Sequence, residues 1–382
     1  MANPVVAIFR RSPFTPATKG EFAHTRPDEL LSQVIKGVIE EFPSISSEIE
    51  DVIVGCAFPE AEQGFNVGRM VSFLSGLPNS TGGVTINRFC GSSMQSIHNA
   101  AGAIALGSGE AFLCCGVESM SRIPMTGFNP LPHPRLMEEY PGVFTSMGVT
   151  AENLTKSHNI TREEQEEFAV SSHIKAKHAQ KSGSFDDEII AINTENGIVE
   201  KDSCIRPETT VEILSKLRPV FDKSGTVTAG TSSPLTDGAT VVLVCSEEFA
   251  QRHGIKPMAR IIGTAVSGCE PEYMGLGPIE ASKKALERAG LTLDDIDIIE
   301  LNEAFSAQSL AVIKEMQLNI KKVNLDGGAI ALGHPLGASG ARITGKAAQL
   351  LVKEGKNLAL ATMCIGGGQG IATVLEKFNV EN

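Results

Sequence analysis

Tryptophan is absent from the 382-residue chain and tyrosine occurs only at Tyr140 and Tyr273, so platforms on which single-stranded bases stack are scarce. Positive charge is also short, with 33 Lys plus Arg against 45 Asp plus Glu and a formal −12. No global field draws the protein onto nucleic acid or anionic lipid, and a polyanionic ligand must find a local patch. No run of about 18 apolar residues occurs, and the N-terminal MANPVVAIFRRSPF lacks the apolar core of a signal peptide. The expectation is a cytoplasmic protein with no integral membrane segment and no nucleic-acid partner. The eight cysteines, Cys56, Cys90, Cys114, Cys115, Cys204, Cys245, Cys269 and Cys364, show neither CxxC spacing nor Cys/His clusters. Free thiols are expected, with no metal site.

What is present is ordinary globular composition, 42% hydrophobic and 20% charged, over a length that suggests two or three domains at about 100–200 residues each. The two ends of the chain say the same thing twice. Pro27 opens PDELLSQVIKGVIEEF with apolar residues at helical spacing, followed by the β-rich EDVIVGC; later Pro278 opens PIEASKKALERAG, followed by IDIIEL. VTINRFCG leads into a helix from about Ser92 and the strand AFLCCG, just as VNLDGGAIALGHPLGASG leads into ARITGKAAQLLVKEG and NLALATMC. The last strand of the second half, GIATVL, has its partner GATVVLV displaced by more than a hundred residues.

The fold class implied is α/β: two duplicated layered α/β domains with largely parallel sheets and an inserted loop domain. The expected boundaries are 1–117 plus 237–256 for the first domain, 118–236 for the insertion and 257–382 for the second. The insertion carries one clear helix at Thr161–Gln180, whose EEQEE run at 163–167 reads as a solvated face. A site between the halves is expected, since pockets favour domain junctions.

Cys90 precedes Gly91-Ser92-Ser93, residues that suit a helix start, where dipole and free N–H groups would favour a thiolate and lower its pKa. Cys56, Cys114, Cys115, Cys204 and Cys245 read as buried, inert thiols. His334 lies in the glycine-rich GGAIALGHPLGASG, and Cys364 ends a strand and runs into IGGGQG, a turn able to form an anion nest. Asn302, just past a strand end, is either a ligand-holding amide or a helix N-cap. Two thiols, an imidazole and an amide at strand ends look like a nucleophile with its base and oxyanion support. Gly340–Lys346 (GARITGK) imitates a phosphate loop but reads as helix, and no GxGxxG follows a strand. A cysteine hydrolase orders Cys, His, Asn, whereas Asn302 precedes His334 here.

The blocks NRFCGSSMQ, TAGTSSPLTDGA, LNEAFSAQ, GGAIALGHPLGASGAR and CIGGGQG resemble the signature blocks of the thiolases, in order over essentially the whole chain. RPETTVEILSKLRPVF and GCEPEYMGLGP resemble the bacterial 3-ketoacyl-CoA thiolases of fatty-acid β-oxidation. The resemblance implies Cys90 as acyl-carrying nucleophile, His334 as its base, Cys364 as the acid/base of the acetyl-CoA enolate, and Asn302 holding a water. The N–H groups of Cys90 and Gly366 would form a second oxyanion hole. It further implies CoA as substrate rather than cofactor, no metal, and CoA or acyl contacts from Arg206, Phe221, Ser233, Met147 and Phe305. Implied partners are CoA, 3-ketoacyl-CoA, a second or fourth copy of the chain, and a hydratase/dehydrogenase subunit. Ser146 stands where short-chain acetoacetyl-CoA thiolases often have histidine, which favours a degradative enzyme over an acetyl-CoA C-acetyltransferase. A non-catalytic acyl-CoA binder on the same fold is the remaining alternative.

Overall fold

The computed structural model describes residues 2–379. The first half runs β1 (Pro4–Arg11), a two-residue β2 (Thr15–Pro16), α1 (Pro27–Glu41), β3 (Asp51–Gly55), α2 (Val67–Leu74), β4 (Gly82–Ile86), α3 (Ser92–Ala105) and β5 (Ala111–Ser119). Between β5 and the next long strand lie α4 (Pro134–Glu139), α5 (Met147–Ser157), α6 (Arg162–Lys181), the hairpin β6 (Ile192–Thr194) and β7 (Gly197–Val199), and α7 (Val211–Ser215). β8 (Thr236–Ser246) and α8 (Glu247–Arg252) complete this half. The second half has β9 (Ala259–Gly268), α9 (Gly277–Ala289), β10 (Ile298–Leu301), α10 (Ser306–Met316), α11 (Ala329–Leu332), α12 (Leu336–Lys353), β11 (Leu358–Ile365) and β12 (Gln369–Lys377).

Local chemistry sets these elements. Pro27 and Pro278 occupy the first turns of α1 and α9, where a missing N–H costs nothing. α6 is closed by a capping box in which the Thr161 hydroxyl accepts from Glu164 N and the Glu164 carboxylate accepts from Thr161 N. In β8 every residue is buried, and its side chains alternate between two cores. Val241, Leu243 and Cys245 face the α1 side, while Val242 and Val244 face the central helices.

The strand order is β4-β3-β5-β8-β1 in the first half and β10-β11-β12-β9 in the second, joined where β1 meets β9. Val323 bridges Ile299 in parallel, where β4 lies beside β3 in the first half. The sheets are mixed rather than largely parallel. Parallel ladders join β3 to β4 and β5, and β10 to β11; β8 and β12 run antiparallel to both their neighbours. The Gly366–Gly368 connection is too short for a crossover, so β12 must return as a hairpin.

α3 and α12 share one core with strands of both halves. Their close approach rests on Gly340, where a Cβ would fall 2.5 Å from Met94 N. The Ser93 hydroxyl also accepts from Ala341 N at 2.8 Å. The phosphate-loop look-alike lies inside α12, with Lys346 buried and ion-paired to Glu188 and Asp326. The EEQEE run is not a purely solvated face. Gln165 and Glu166 are buried because Gln165 donates to Thr226 and Glu166 pairs with Arg162 at 2.7 Å. Among the described residues no helix is long and apolar enough to cross a membrane.

A candidate active site where the halves meet

Cys90 and His334 occupy matching places, each two residues ahead of a central helix, α3 and α12 respectively. The turn carrying Cys90 is held by its neighbours: Phe89 N donates to Asn87 Oδ1 at 2.7 Å and Arg88 N to Ser92 Oγ at 2.8 Å, with Phe89 at φ 43. The backbone N–H groups of Gly366 and of Cys90 itself lie close enough to the Cys90 sulfur to favour its thiolate. These donors do not win. Burial, reinforced by the Glu118 carboxylate, pushes the thiol up to about 11, opposite to the expectation from the helix start. That expectation omitted Glu118, which comes from the far end of β5.

His334 is almost fully buried. Its N–H meets Thr236 Oγ1 at 3.0 Å, and its Nδ1 meets Ser339 Oγ at 2.6 Å. The Ser339 hydroxyl donates to Pro335 O at 3.0 Å, so its oxygen accepts from Nδ1–H and the lone pair of the ring sits on Nε2. Burial first, then the charge of Arg342, lowers the imidazole to about 3. Asn302 Nδ2 stands 3.4 Å from Nε2. The N-cap of α10 is Phe305, which removes the capping alternative for Asn302, and the Asn302 Oδ1 is buried with no partner among the described residues.

Cys364, second from the end of β11, is 2% exposed in an apolar cluster with Ala151, Val227, Met274, Ala304 and Phe305, against which Met147 packs. Burial raises its thiol strongly, and the charges of Cys90 and Cys269 act in the same direction. The structure therefore gathers Cys90, Cys364 and Gly366 into one group, and Asn302 with His334 into another. Leu336, two residues after His334, belongs to the cluster against which Cys90 packs.

Of the remaining candidates, Met147 reaches over the glycine turn: a Cβ on Gly366 would lie 3.5 Å from its sulfur. Phe221 meets Phe305 edge-on at 5.9 Å, and Ser233 donates through both N and Oγ to Ala304 O at 3.0 and 3.1 Å. Arg206 is not part of this cluster; it is exposed, and its backbone N–H meets His173 Nδ1 at 3.2 Å.

Sequence reasoning missed Glu118, Ser339, Arg342 and Cys269. Glu118 accepts N–H groups from Ala57, Phe58 and Gly337 and the side-chain amide of Gln63, tying the α12 start to the loop after β3. A lone carboxylate ending an otherwise apolar strand was the available signal. Cys56, Cys114, Cys115, Cys204 and Cys245 are buried free thiols as expected.

The family profile "Thiolase, N-terminal domain" matches residues 4–248 and "Thiolase, C-terminal domain" matches residues 255–377. The chain is 49% identical over 387 residues to the 3-ketoacyl-CoA thiolase of Idiomarina loihiensis, covering 99% of this chain and 100% of that protein. It is 50% identical over 387 residues to the enzyme of the same name from Pseudoalteromonas translucida, covering 99% of each. Among solved structures, the Bacillus anthracis acetyl-CoA acetyltransferase superposes with a TM-score of 0.90 at 38% identity, covering 99% of both chains. Human mitochondrial 3-ketoacyl-CoA thiolase in complex with CoA also gives 0.90, at 39% identity, covering 99% of this chain and 98% of that one. With both halves matched in order and relatives aligned from end to end, the chain belongs to the thiolase family of acyltransferases.

Proposed function

We propose that the protein is a 3-ketoacyl-CoA thiolase of fatty-acid β-oxidation, cleaving its substrate through an acyl group held on Cys90. The observation that carries this reading is the Cys90 sulfur facing the Gly366 N–H with the Cys364 thiol beside it. Nε2 of His334 takes the Cys90 proton as the sulfur attacks the 3-keto carbonyl. The carbon–carbon bond then breaks, and Cys364 protonates the departing acetyl-CoA enolate. The thiol of a second CoA gives its proton to the Cys364 thiolate as it attacks the acyl-enzyme, and the departing Cys90 takes back the proton held on His334, completing a ping-pong cycle. His334 and a water on Asn302 support one oxyanion, and the N–H groups of Cys90 and Gly366 the other, each such donor being worth about 3 kcal/mol. The thioester supplies the activation, so CoA serves as substrate and neither a metal nor a detachable cofactor is invoked.

The segment 118–236 is the proposed CoA side, with Met147, Phe221, Ser233 and Phe305 lining the acyl and pantetheine path and Arg206 supplying local positive charge. An acetyl-CoA C-acetyltransferase would keep the same catalytic residues; Ser146, at the start of α5 beside Met147, favours the longer-chain reading. The β4 edge supports a homodimer as the assembly unit: it is half-exposed, carries the exposed Val84 and is flanked by exposed Met70, Phe73 and Phe89. A dimer of such dimers and docking of a hydratase/dehydrogenase subunit extend the same proposal. Eight free cysteines fit the reducing cytoplasm.

The test is CoA-dependent cleavage of a 3-ketoacyl-CoA series from C4 to C16, with Cys90→Ala as the blank. Rates that persist or rise beyond C4 are expected. Activity confined to C4 assigns the acetyltransferase, and none at any length leaves a binder or a missing partner subunit.

A further inference from the structure

Eight residues after His334 and two before Asn302 in the chain stand the partners of a buried ion pair that the proposed mechanism does not use. Arg342 on α12 is 1% exposed and Glu300 on β10 is fully buried, with Nη1 donating to Oε2 at 3.0 Å. Three polar atoms of this pair, Arg342 Nε, Arg342 Nη2 and Glu300 Oε1, are buried with no hydrogen-bond partner among the described residues. An ion pair so incompletely satisfied is a poor source of stability, because desolvation costs as much as the attraction returns. Its placement gives it another use. Glu300 and Asn302 are two residues apart and share a face of the chain leaving β10, while a helical side chain leans toward its own N-terminus, which for Arg342 is the His334 end.

The groups set around the imidazole come from several elements. They are Arg342 on α12 with Glu300 of β10 paired to it, Asn302 just after β10, Glu118 on β5 through Gly337, Cys90 through the cluster it shares with Leu336, and Cys204 with Asp237 beside Thr236 and Gly333. Among the described residues neither ring nitrogen meets a carboxylate: Nδ1 faces the Ser339 hydroxyl and Nε2 the Asn302 amide. No anion therefore compensates an imidazolium in the way the aspartate of a Ser-His-Asp triad does.

We infer that Arg342 and Glu300 are a positioning pair that ties the helix start bearing His334 to the strand end bearing Asn302 and keeps the resting imidazole uncharged, with its lone pair on Nε2. The resting Cys90–His334 pair is then a neutral thiol and imidazole, and charge separates only as the sulfur attacks. This deepens the proposed thiolase reaction and rests on it. Removing Arg342 does not strand a buried charge, because burial already pushes Glu300 up to about 7 and the freed carboxyl takes a proton.

The experiment compares wild type, Arg342→Met and Arg342→Lys by two pH profiles, kcat/KM for carbon–carbon cleavage and the rate of Cys90 alkylation by iodoacetamide. In Arg342→Met the acid limb of kcat/KM is expected to move up by about one pH unit or more, toward the ordinary histidine range. Alkylation near neutral pH should accelerate about threefold or more as a thiolate–imidazolium pair becomes accessible. Arg342→Lys, which retains the charge, should keep the wild-type profiles. A folded Arg342→Met whose two profiles overlay wild type, even with a uniform rate loss, overturns the inference. If that variant does not fold, Glu300→Gln decides: its uncompensated guanidinium should slow alkylation about twofold or more, and an unchanged rate overturns the inference. Wild type that alkylates normally but cleaves no 3-ketoacyl-CoA would instead count against the proposed function.

Discussion

The two halves share a strand order and a central helix, yet they contribute opposite chemistry at matching positions. Two residues before its central helix the first half places a thiol, Cys90, and the second an imidazole, His334. Second from the end of the strand that follows, the first half places a carboxylate, Glu118, and the second a thiol, Cys364. Each strand end serves the other half: Cys364 bears on Cys90, and Glu118 accepts the Gly337 N–H at the start of α12. Eight residues beyond Cys90 stands His98, and eight beyond His334 stands Arg342. Duplication built a near-symmetric frame, and the reaction depends on where the two copies differ.

The sharpest way to break that comparison is to erase the difference at the helix starts. Cys90→Ala should cut CoA-dependent cleavage more than about a thousandfold, since the covalent intermediate is lost. His334→Ala should cost about 10²–10⁴-fold in kcat/KM as a general base is removed. Initial rates over a range of C8 substrate concentrations check both. A His334→Ala loss below tenfold would remove the imidazole from the proton path.

Erasing the difference at the strand ends should separate two half-reactions. Cys364→Ala is expected to abolish carbon–carbon cleavage while leaving Cys90 able to accept an acyl group from a simple thioester, read as a mass increase on the intact protein. Full cleavage in that variant would reassign the acid. The shared frame itself is tested at Gly340. A Cβ there falls 2.5 Å from Met94 N, on backbone that cannot swing away. Gly340→Ala should therefore destabilise the fold by about 1–3 kcal/mol in urea titration, with cleavage falling only as α12 shifts. A stability at or above wild type would show that the helices have slack.

Much of this arrangement is legible in the sequence because it is written locally. Pro27 and Pro278, the Ser92 helix start, the apolar run of β5 and the repeat itself need only neighbouring residues, and so do the glycine turns around His334 and Cys364. What could not be read depends on distant partners. The acidity of Cys90 turns on Glu118 and Gly366, 28 and 276 positions away in the chain. Burial of Glu166 turns on Arg162, but that of Gln165 on Thr226 in another loop. The antiparallel return of β8 was hidden because 116 residues, 120–235, separate it from β5. Arg206 shows the converse limit: a motif match places a residue in a family block, while the fold leaves it exposed and apart from the thiols.

The smallest expected effect compares His98 with its counterpart Arg342. His98, packed between α3 and β12 with its Nε2 2.9 Å from Thr373 Oγ1, is lowered to about 3 by burial and by the charges of Arg88 and Arg288. Its folded value lies below the ordinary 6.5, so the unfolded chain binds the extra proton between these limits. Stability is then fully present above about 6.5 and is lost as pH falls, with a slope of about 1.4 kcal/mol per pH unit from this group alone. His334, also lowered to about 3, adds a similar slope, whereas the position equivalent to His98 carries Arg342 and no imidazole. Between pH 6.5 and 5, His98→Gln should lose about 2 kcal/mol less than wild type in urea unfolding. Equal losses in the two proteins would mean that His98 is solvated enough to titrate normally. The acid sensitivity carried by depressed histidines would then rest on His334 in the second half and on His173 of α6, which burial and the charge of Arg206 lower to about 4.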